Sequence, residues 1–174
     1  GQFVLSPNSK GQMLAYERAY DSSRITSAEI DYIECHATGT PLGDKVELDS
    51  MEMFFAAPES AEENKTKPLI GSVKSNLGHM LTAAGMGGMT KVILALQNGI
   101  IPATVGVEDV MTSKNDGVSA DQIVRKAADW PHKRQQRSAA VSAFGFGGTN
   151  AHIVFEAANT EIIRGKETQQ KKPV

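Results

Sequence analysis

Three features of the sequence predict an α/β fold with a mostly parallel sheet. Short apolar runs alternate with helical repeats, glycine and proline punctuate the ends of those runs, and the chain is long enough to enclose one ordinary core. It has 174 residues, of which 40% are apolar. That content suits one domain with a sizeable interior.

Each element follows from its local pattern. Residues 9–20 place Met13, Tyr16 and Tyr20 at i, i+3 and i+7, the spacing of a half-buried helix, although Glu17 interrupts that face. Residues 30–35 read as a strand that Gly39, Pro41 and Gly43 end in a loop. A second helix is expected from Asp44, with Leu48, Met51 and Phe55 at helical spacing. Asp44 and Glu47 have the spacing of a capping box, so helix initiation is the reading of that pair. Residues 56–68 form a polar loop and 69–74 the next strand. Residues 82–98, TAAGMGGMTKVILALQN, predict a helix apolar on nearly all sides, stopped by Gly99. Its Gly85, Gly87 and Gly88 cost helix propensity and point to close backbone packing. They are no phosphate loop, because no strand leads into them and no Lys-Ser/Thr pair closes them. A third strand is expected over 100–107, a polar excursion over 108–137, and two further strands over 139–142 and 151–156 flanking AFGFGGTN. From residue 157 to 174 the composition predicts a polar linker or disordered tail.

Charge and cysteine usage narrow the function classes. A net charge of -2 gives no general attraction to nucleic acid or to an anionic membrane. One cysteine forms no internal disulfide, which fits a reducing, cytoplasmic setting. No apolar run approaches the roughly 18 residues that span a bilayer, and GQFVLSPNSK lacks the form of a signal peptide. The four histidines show no close metal-ligand spacing and Cys35 has no cysteine partner, so no metal is expected.

The stretch YIECHATGTPLGD, residues 32–44, sets Cys35 beside His36. Neighbours on an extended segment point to opposite faces, so a Cys35–His36 dyad is poor geometry. Cys35 reads as a small buried apolar residue sharing a face with Ile33. His36 stands at the carboxyl end of a strand, where open α/β sheets bind ligands. Two other loops share this placement: VKSNLGH, with Lys74 and His79, and the glycine-rich FGFGGTN. Two imidazoles can donate to one developing oxyanion, a lysine can fix their protonation, and glycines permit close backbone approach to a thioester. What these loops lack is a nucleophile.

In their order and spacing, CHATGTPLGD, GSVKSNLGH and AAVSAFGFGGTNAHIVFE resemble the carboxyl-terminal half of a β-ketoacyl synthase, the condensing enzyme of fatty acid and polyketide synthesis. The resemblance spans residues 1–156. Gly88 stands where free-standing bacterial enzymes carry a glutamate, which points to a multidomain synthase. ECHATGTPLGDKVELDSM and GVEDVMTSKNDGVSADQIV are most similar to ketosynthases of bacterial polyunsaturated fatty acid synthases. Ala37 departs from the family's usual HGTGT, and a slight change in loop packing is expected there.

The resemblance implies half of a thiolase-like layered α/β/α/β/α fold, a Cys-His-His condensing site, and a nucleophilic cysteine in an amino-terminal half absent from this sequence. Cys35 is not that nucleophile. By the same resemblance His36 and His79 stabilise an enolate formed by decarboxylation of malonyl carrier protein, and Lys74 holds His79 electrostatically. The Phe146 amide supplies part of an oxyanion hole while its ring gates the acyl pocket. Thr38 and Thr40 match positions that hydrogen-bond a phosphopantetheine arm. On spacing alone, Phe146 is equally a core aromatic, and the threonines read slightly better as loop caps. The chain is expected to bind no cofactor of its own. Implied partners are an acyl carrier protein, the amino-terminal half and a second copy of the complete domain. Lys10, Arg18 and HKRQQR at 132–137 are solvated surface or a carrier-protein face, His152 is structural, and Glu34 either orients His36 or is exposed. A decarboxylating relative and a noncatalytic chain-length factor are the alternatives; a thiolase would need a second cysteine near the closing glycines.

Overall fold

Strand order rather than strand length builds the scaffold. The computed structural model describes residues 6–55, 67–131 and 135–158. Its main sheet has the order β2-β1-β5-β6, formed by Leu69–Gly71, Tyr32–Glu34, Ser138–Phe144 and Asn150–Glu156. β1 lies parallel to both β2 and β5, while β6 returns antiparallel along β5. A small second sheet pairs β3 (Ile100–Ile101) with β4 (Ala128–Asp129).

Alternation along β1 and β5 divides the core between the two sheet faces. Ile33, Cys35 and Ala140 face helix α1 (Ser9–Asp21) and helix α2 (Pro41–Phe55), meeting Tyr16, Leu48 and Met51. Tyr32, Ala139 and Val141 face helix α4 (Ala84–Asn98), meeting Val92, Ala95 and Leu96. Full burial of side chains such as Met51 and Val92 contributes about 1.5–3 kcal/mol each relative to exposure. Gly88 brings α4 close to the sheet: a Cβ there would lie 3.1 Å from both Glu34 and Val141 side chains. Gly85 makes the same approach to Ala143 at 3.3 Å.

Several boundaries differ from expectation for local reasons. Val73 is already helical, so the run 69–74 divides into β2 and a short helix α3 (Lys74–Leu77). The run 100–107 keeps only Ile100–Ile101 as strand, because Pro102 has no N–H to donate and Gly106 turns the chain at φ +71°. α2 starts at Pro41, three residues before Asp44, with proline in the first helical position where its missing N–H costs nothing. α4 is not covered on all sides; Met86, Ile93 and Leu94 are exposed while Lys91 is buried. Gly99 caps it as expected, at φ +70° with its N–H on Ala95. The polar excursion contributes to the core through Val118, Val124 and Trp130, whose indole N–H donates to buried Asp31 at 2.9 Å. The tail from residue 159, most of the 56–68 loop, and 132–134 of the HKRQQR stretch lie outside the described residues.

Candidate active site

Three parallel strands end at one edge of the sheet, and the three loops singled out in the sequence leave from there. Glu34 pairs with Gly71 and with Val141 across the ladders, so His36, Lys74 and the turn after Phe144 emerge side by side. The His36 and His79 rings lie 5.6 Å apart, nearly perpendicular. Phe144 closes on His36 at 5.7 Å, a neighbour that sequence reasoning did not single out. An aromatic just before a glycine turn was its only signal.

His36 is half-buried, and its Nδ1 is enclosed without a hydrogen-bond partner among the described residues. Burial, and then the charges of Lys74 and His79, hold its pKa down to about 4. The imidazole is therefore neutral near pH 7, a donor that needs no proton uptake. Burial lowers the pKa of Lys74 as well, opposed by Glu34, Glu47, Cys35 and Asp44 in that order of effect. His79 follows the α3 turn, with Gly78 at φ +79°, and is exposed. Met80 and Leu81 right after it both adopt left-handed backbone, at φ 56° and 48°. Such conformations cost about 1–2 kcal/mol per non-glycine residue and persist where surrounding structure enforces them.

Asp44 and Glu47 are not the capping box that their spacing suggested. Glu47 is buried and accepts the backbone N–H groups of His36 and Ala37, both at 2.7 Å. Asp44 accepts those of Thr38 and Gly39 at 3.0 and 3.2 Å. The first turns of α2 thus fix the loop that carries His36. Burial pushes Glu47 up to about 7, although the two backbone donors and Lys74 pull it down. Glu34 does not orient His36 and is not exposed: it is buried and paired with Lys91 at 2.8 Å.

Thr38 and Thr40 share a 3.1 Å hydroxyl contact on the same loop, Thr40 being exposed. Phe146 is 76% exposed in a glycine turn whose Gly147 and Gly148 have φ of 75° and 86°. That turn needs glycine at both positions. Cys35 is buried, its sulfur 3.8 Å from both the Ile33 carbonyl and the Met51 sulfur. His152 is structural as expected: it is buried, 3.0 Å from Ser142 Oγ and 3.3 Å from the Tyr20 hydroxyl. A cavity of about 430 Å³ lies under the Thr38 loop, lined by Cys35, Glu47, Ser72, Thr104 and Met111 among others. Neither His36, Lys74 nor His79 lines it. Among the described residues no group of His, Cys, Asp and Glu is placed to hold a metal ion, and no helix is long and apolar enough to cross a membrane.

Fold and comparisons together define a thiolase-like ketosynthase domain. Residues 1–108 match the family described as beta-ketoacyl synthase, C-terminal domain, and the chain belongs to that family. It is 40% identical over 171 residues to a component of the phenolphthiocerol/phthiocerol polyketide synthase of Mycobacterium tuberculosis, covering 98% of this chain and 8% of that protein. It is 38% identical over 158 residues to polyketide synthase GfsA of Streptomyces halstedii, covering 90% of this chain and 2% of the relative. Among solved structures, PfaC Keto synthase-Chain length factor superposes with TM-score 0.83 at 54% identity, over 91% of this chain and 16% of that one. Ketosynthase twelve of the bacillaene polyketide synthase of Bacillus amyloliquefaciens gives TM-score 0.75 at 34% identity, over 90% and 28%. The chain thus spans under a tenth of these curated relatives, and the resemblance read from its three loops is borne out.

Proposed function

We propose that this chain supplies the decarboxylation and enolate-stabilising half of a β-ketoacyl-carrier-protein synthase of the polyunsaturated fatty acid synthase type, a cytoplasmic acyltransferase. The observation that carries the reading is the pair of imidazoles, His36 and His79, at 5.6 Å on the carboxyl edge of the sheet. Malonyl carrier protein loses carbon dioxide, the bonding electron pair passes to the thioester oxygen, and the two imidazoles donate to that oxygen. Neutral His36 does so without titrating. Lys74, on the same turn as His79, holds that imidazole electrostatically. The enolate carbon then attacks the acyl carbonyl of a thioester on a cysteine that residues 1–156 do not provide. The tetrahedral oxyanion collapses, breaking the carbon–sulfur bond and releasing the cysteine as thiolate. Residues 1–156 are on this reading the carboxyl-terminal half of the catalytic domain, inactive alone. The Phe146 N–H belongs to the oxyanion hole for this second step, and its exposed ring gates the acyl channel. Thr38 and Thr40 receive the phosphopantetheine arm of the acyl carrier protein. Two complete domains form the working dimer.

A chain-length-factor reading is suggested by the name of the PfaC relative. Retention of His36, Lys74 and His79 favours the catalytic one. The test is malonyl-carrier-protein decarboxylation by the complete domain. His36→Ala and His79→Ala are each expected to lower kcat by about 10²–10³-fold, the worth of one oxyanion donor. Normal decarboxylation by both variants would overturn the two-imidazole assignment.

A further inference from the structure

Behind the candidate site, on the α4 face of the sheet, lies a buried ionic network. Glu34 Oε2 accepts from Lys91 Nζ at 2.8 Å and from the Tyr32 hydroxyl at 2.7 Å. Lys91 Nζ also donates to the Tyr32 oxygen at 2.8 Å. The other carboxylate oxygen, Oε1, accepts the backbone N–H of Val73 at 2.5 Å. Glu34 and Lys91 are almost fully removed from solvent, with side-chain exposures of 1% and 6%. Two glycines make the room: a Cβ on Gly88 would meet the Glu34 stem at 3.1 Å, and one on Gly71 would meet the Tyr32 oxygen at 2.8 Å.

A buried ion pair is a poor way to gain stability, since well-packed apolar residues commonly serve as well. What this pair does that an apolar pair cannot is present a fixed, fully formed acceptor to one backbone donor. That donor belongs to Val73, immediately before Lys74 and the turn that leads to His79. The turn is otherwise tied to itself and to two loops: Leu77 N–H returns to Val73 O, Gly78 N–H to Lys74 O, Val105 N–H reaches Ser75 Oγ, and Ser72 Oγ accepts the Lys74 N–H at 3.4 Å while donating to Ala37 O at 3.3 Å. Beside the Ser72 link, Glu34, two residues before His36, is the side chain on β1 that reaches the root of the Lys74–His79 segment, at the Val73 N–H. The Glu34 charge is also the foremost of those that favour the ammonium form of Lys74.

We propose that Glu34, clamped by Lys91 and Tyr32, is a positioning residue that sets Lys74 and His79 in register with His36 for the decarboxylation step. This rests on the ketosynthase reading above. Glu34 touches no reacting atom; it acts through the Val73 backbone.

The experiment uses the complete ketosynthase domain and measures kcat and KM for malonyl-carrier-protein decarboxylation beside hydrogen exchange of the peptide containing Val73 and Lys74. Lys91→Met fills the same volume but leaves Glu34 buried without its partner. It is expected to lower kcat at least tenfold with KM within about twofold, and to speed exchange at Val73. Glu34→Gln with Lys91→Met is neutral, and the Gln carbonyl can still accept from Val73; kcat is expected to return to within about threefold of wild type. Glu34→Leu with Lys91→Met is equally neutral but cannot accept, and kcat is expected to stay at least tenfold down. Folded Lys91→Met with wild-type kcat and wild-type exchange overturns the proposal, and so does equal activity of the Gln and Leu double variants. The Lys91→Met arm decides the matter even where the leucine variant does not fold. If instead His36→Ala and His79→Ala decarboxylate normally, the ketosynthase reading itself fails, whatever the Glu34 series shows.

Discussion

A thiol attacks as its thiolate, and burial opposes that ionisation. Cys35 lies in the core between Ile33 and Met51, and burial, then the nearby Glu47 and Glu34 carboxylates, raise its pKa well above that of a free thiol. One residue along the chain, the His36 ring meets His79 and Phe144 instead. Two adjacent reactive residue types thus differ in surroundings, the thiol enclosed in the core and the imidazole at the end of the sheet beside His79. Cys35→Ala in the complete domain is expected to leave acyl-enzyme formation within about twofold of wild type. Its cost is one of stability, about 1 kcal/mol for the apolar volume removed. Acylation kinetics followed with a thioester substrate check this, and loss of the acyl-enzyme in the variant would return Cys35 to the chemistry.

The β5–β6 hairpin carries the glycine turn, and its attachment to α1 runs through His152. That imidazole lies between Ser142 on the paired strand and Tyr20 on the helix, with Tyr16 edge-on at 4.8 Å. Burial lowers its pKa to about 3, so the folded hairpin holds it neutral where the unfolded chain, with an ordinary histidine, takes up a proton. The sign follows from linkage. The His152 contribution is fully present above about pH 6.5 and is lost progressively as pH falls toward about 3. His36 acts in the same direction, so the clean measurement is a difference. The stability gap between the complete wild-type domain and its His152→Gln variant is expected to narrow from pH 7 to pH 4, as read by urea unfolding; a gap independent of pH would mean that His152 is not buried neutral. At this scale the sequence was legible where one local signal decides the element. Glycine and proline after residue 35 and Gly99 after α4 marked real ends, and the three loops expected at strand ends do converge. It was misleading where two devices share a spacing: Asp44 and Glu47 three apart can cap a helix or hold a neighbouring loop, and the loop won because its N–H groups lie within reach. It was silent where the partner is distant in the chain. Nothing near Lys91 announces that its ammonium reaches Tyr32, 59 residues away, and Trp130 gives no local sign of Asp31.

Seen whole, the chain covers its sheet from both faces and yet leaves large apolar side chains bare at the edge that carries the site. Leu81 is 80% exposed, and Leu77, Leu42 and Phe146 are also uncovered around the three loops. Met86, Ile93 and Leu94 repeat this along the outer side of α4. Scattered exposed apolar residues are ordinary, but residues from three loops that converge on one edge form a surface of the kind that a partner covers. The family relation supplies the occupant proposed here: an amino-terminal half carrying the nucleophile, pressed against the loops where His36 and His79 stand. His79 and Phe146, both exposed in this chain, would then be enclosed along with the reaction. The 174-residue chain alone is expected to self-associate, to bind a hydrophobic dye, or to stay soluble only with that half added. Sedimentation combined with dye titration decides between the outcomes. A compact monomer that ignores the dye at micromolar concentration would show that these side chains need no cover, and the two-halved site would lose its physical basis.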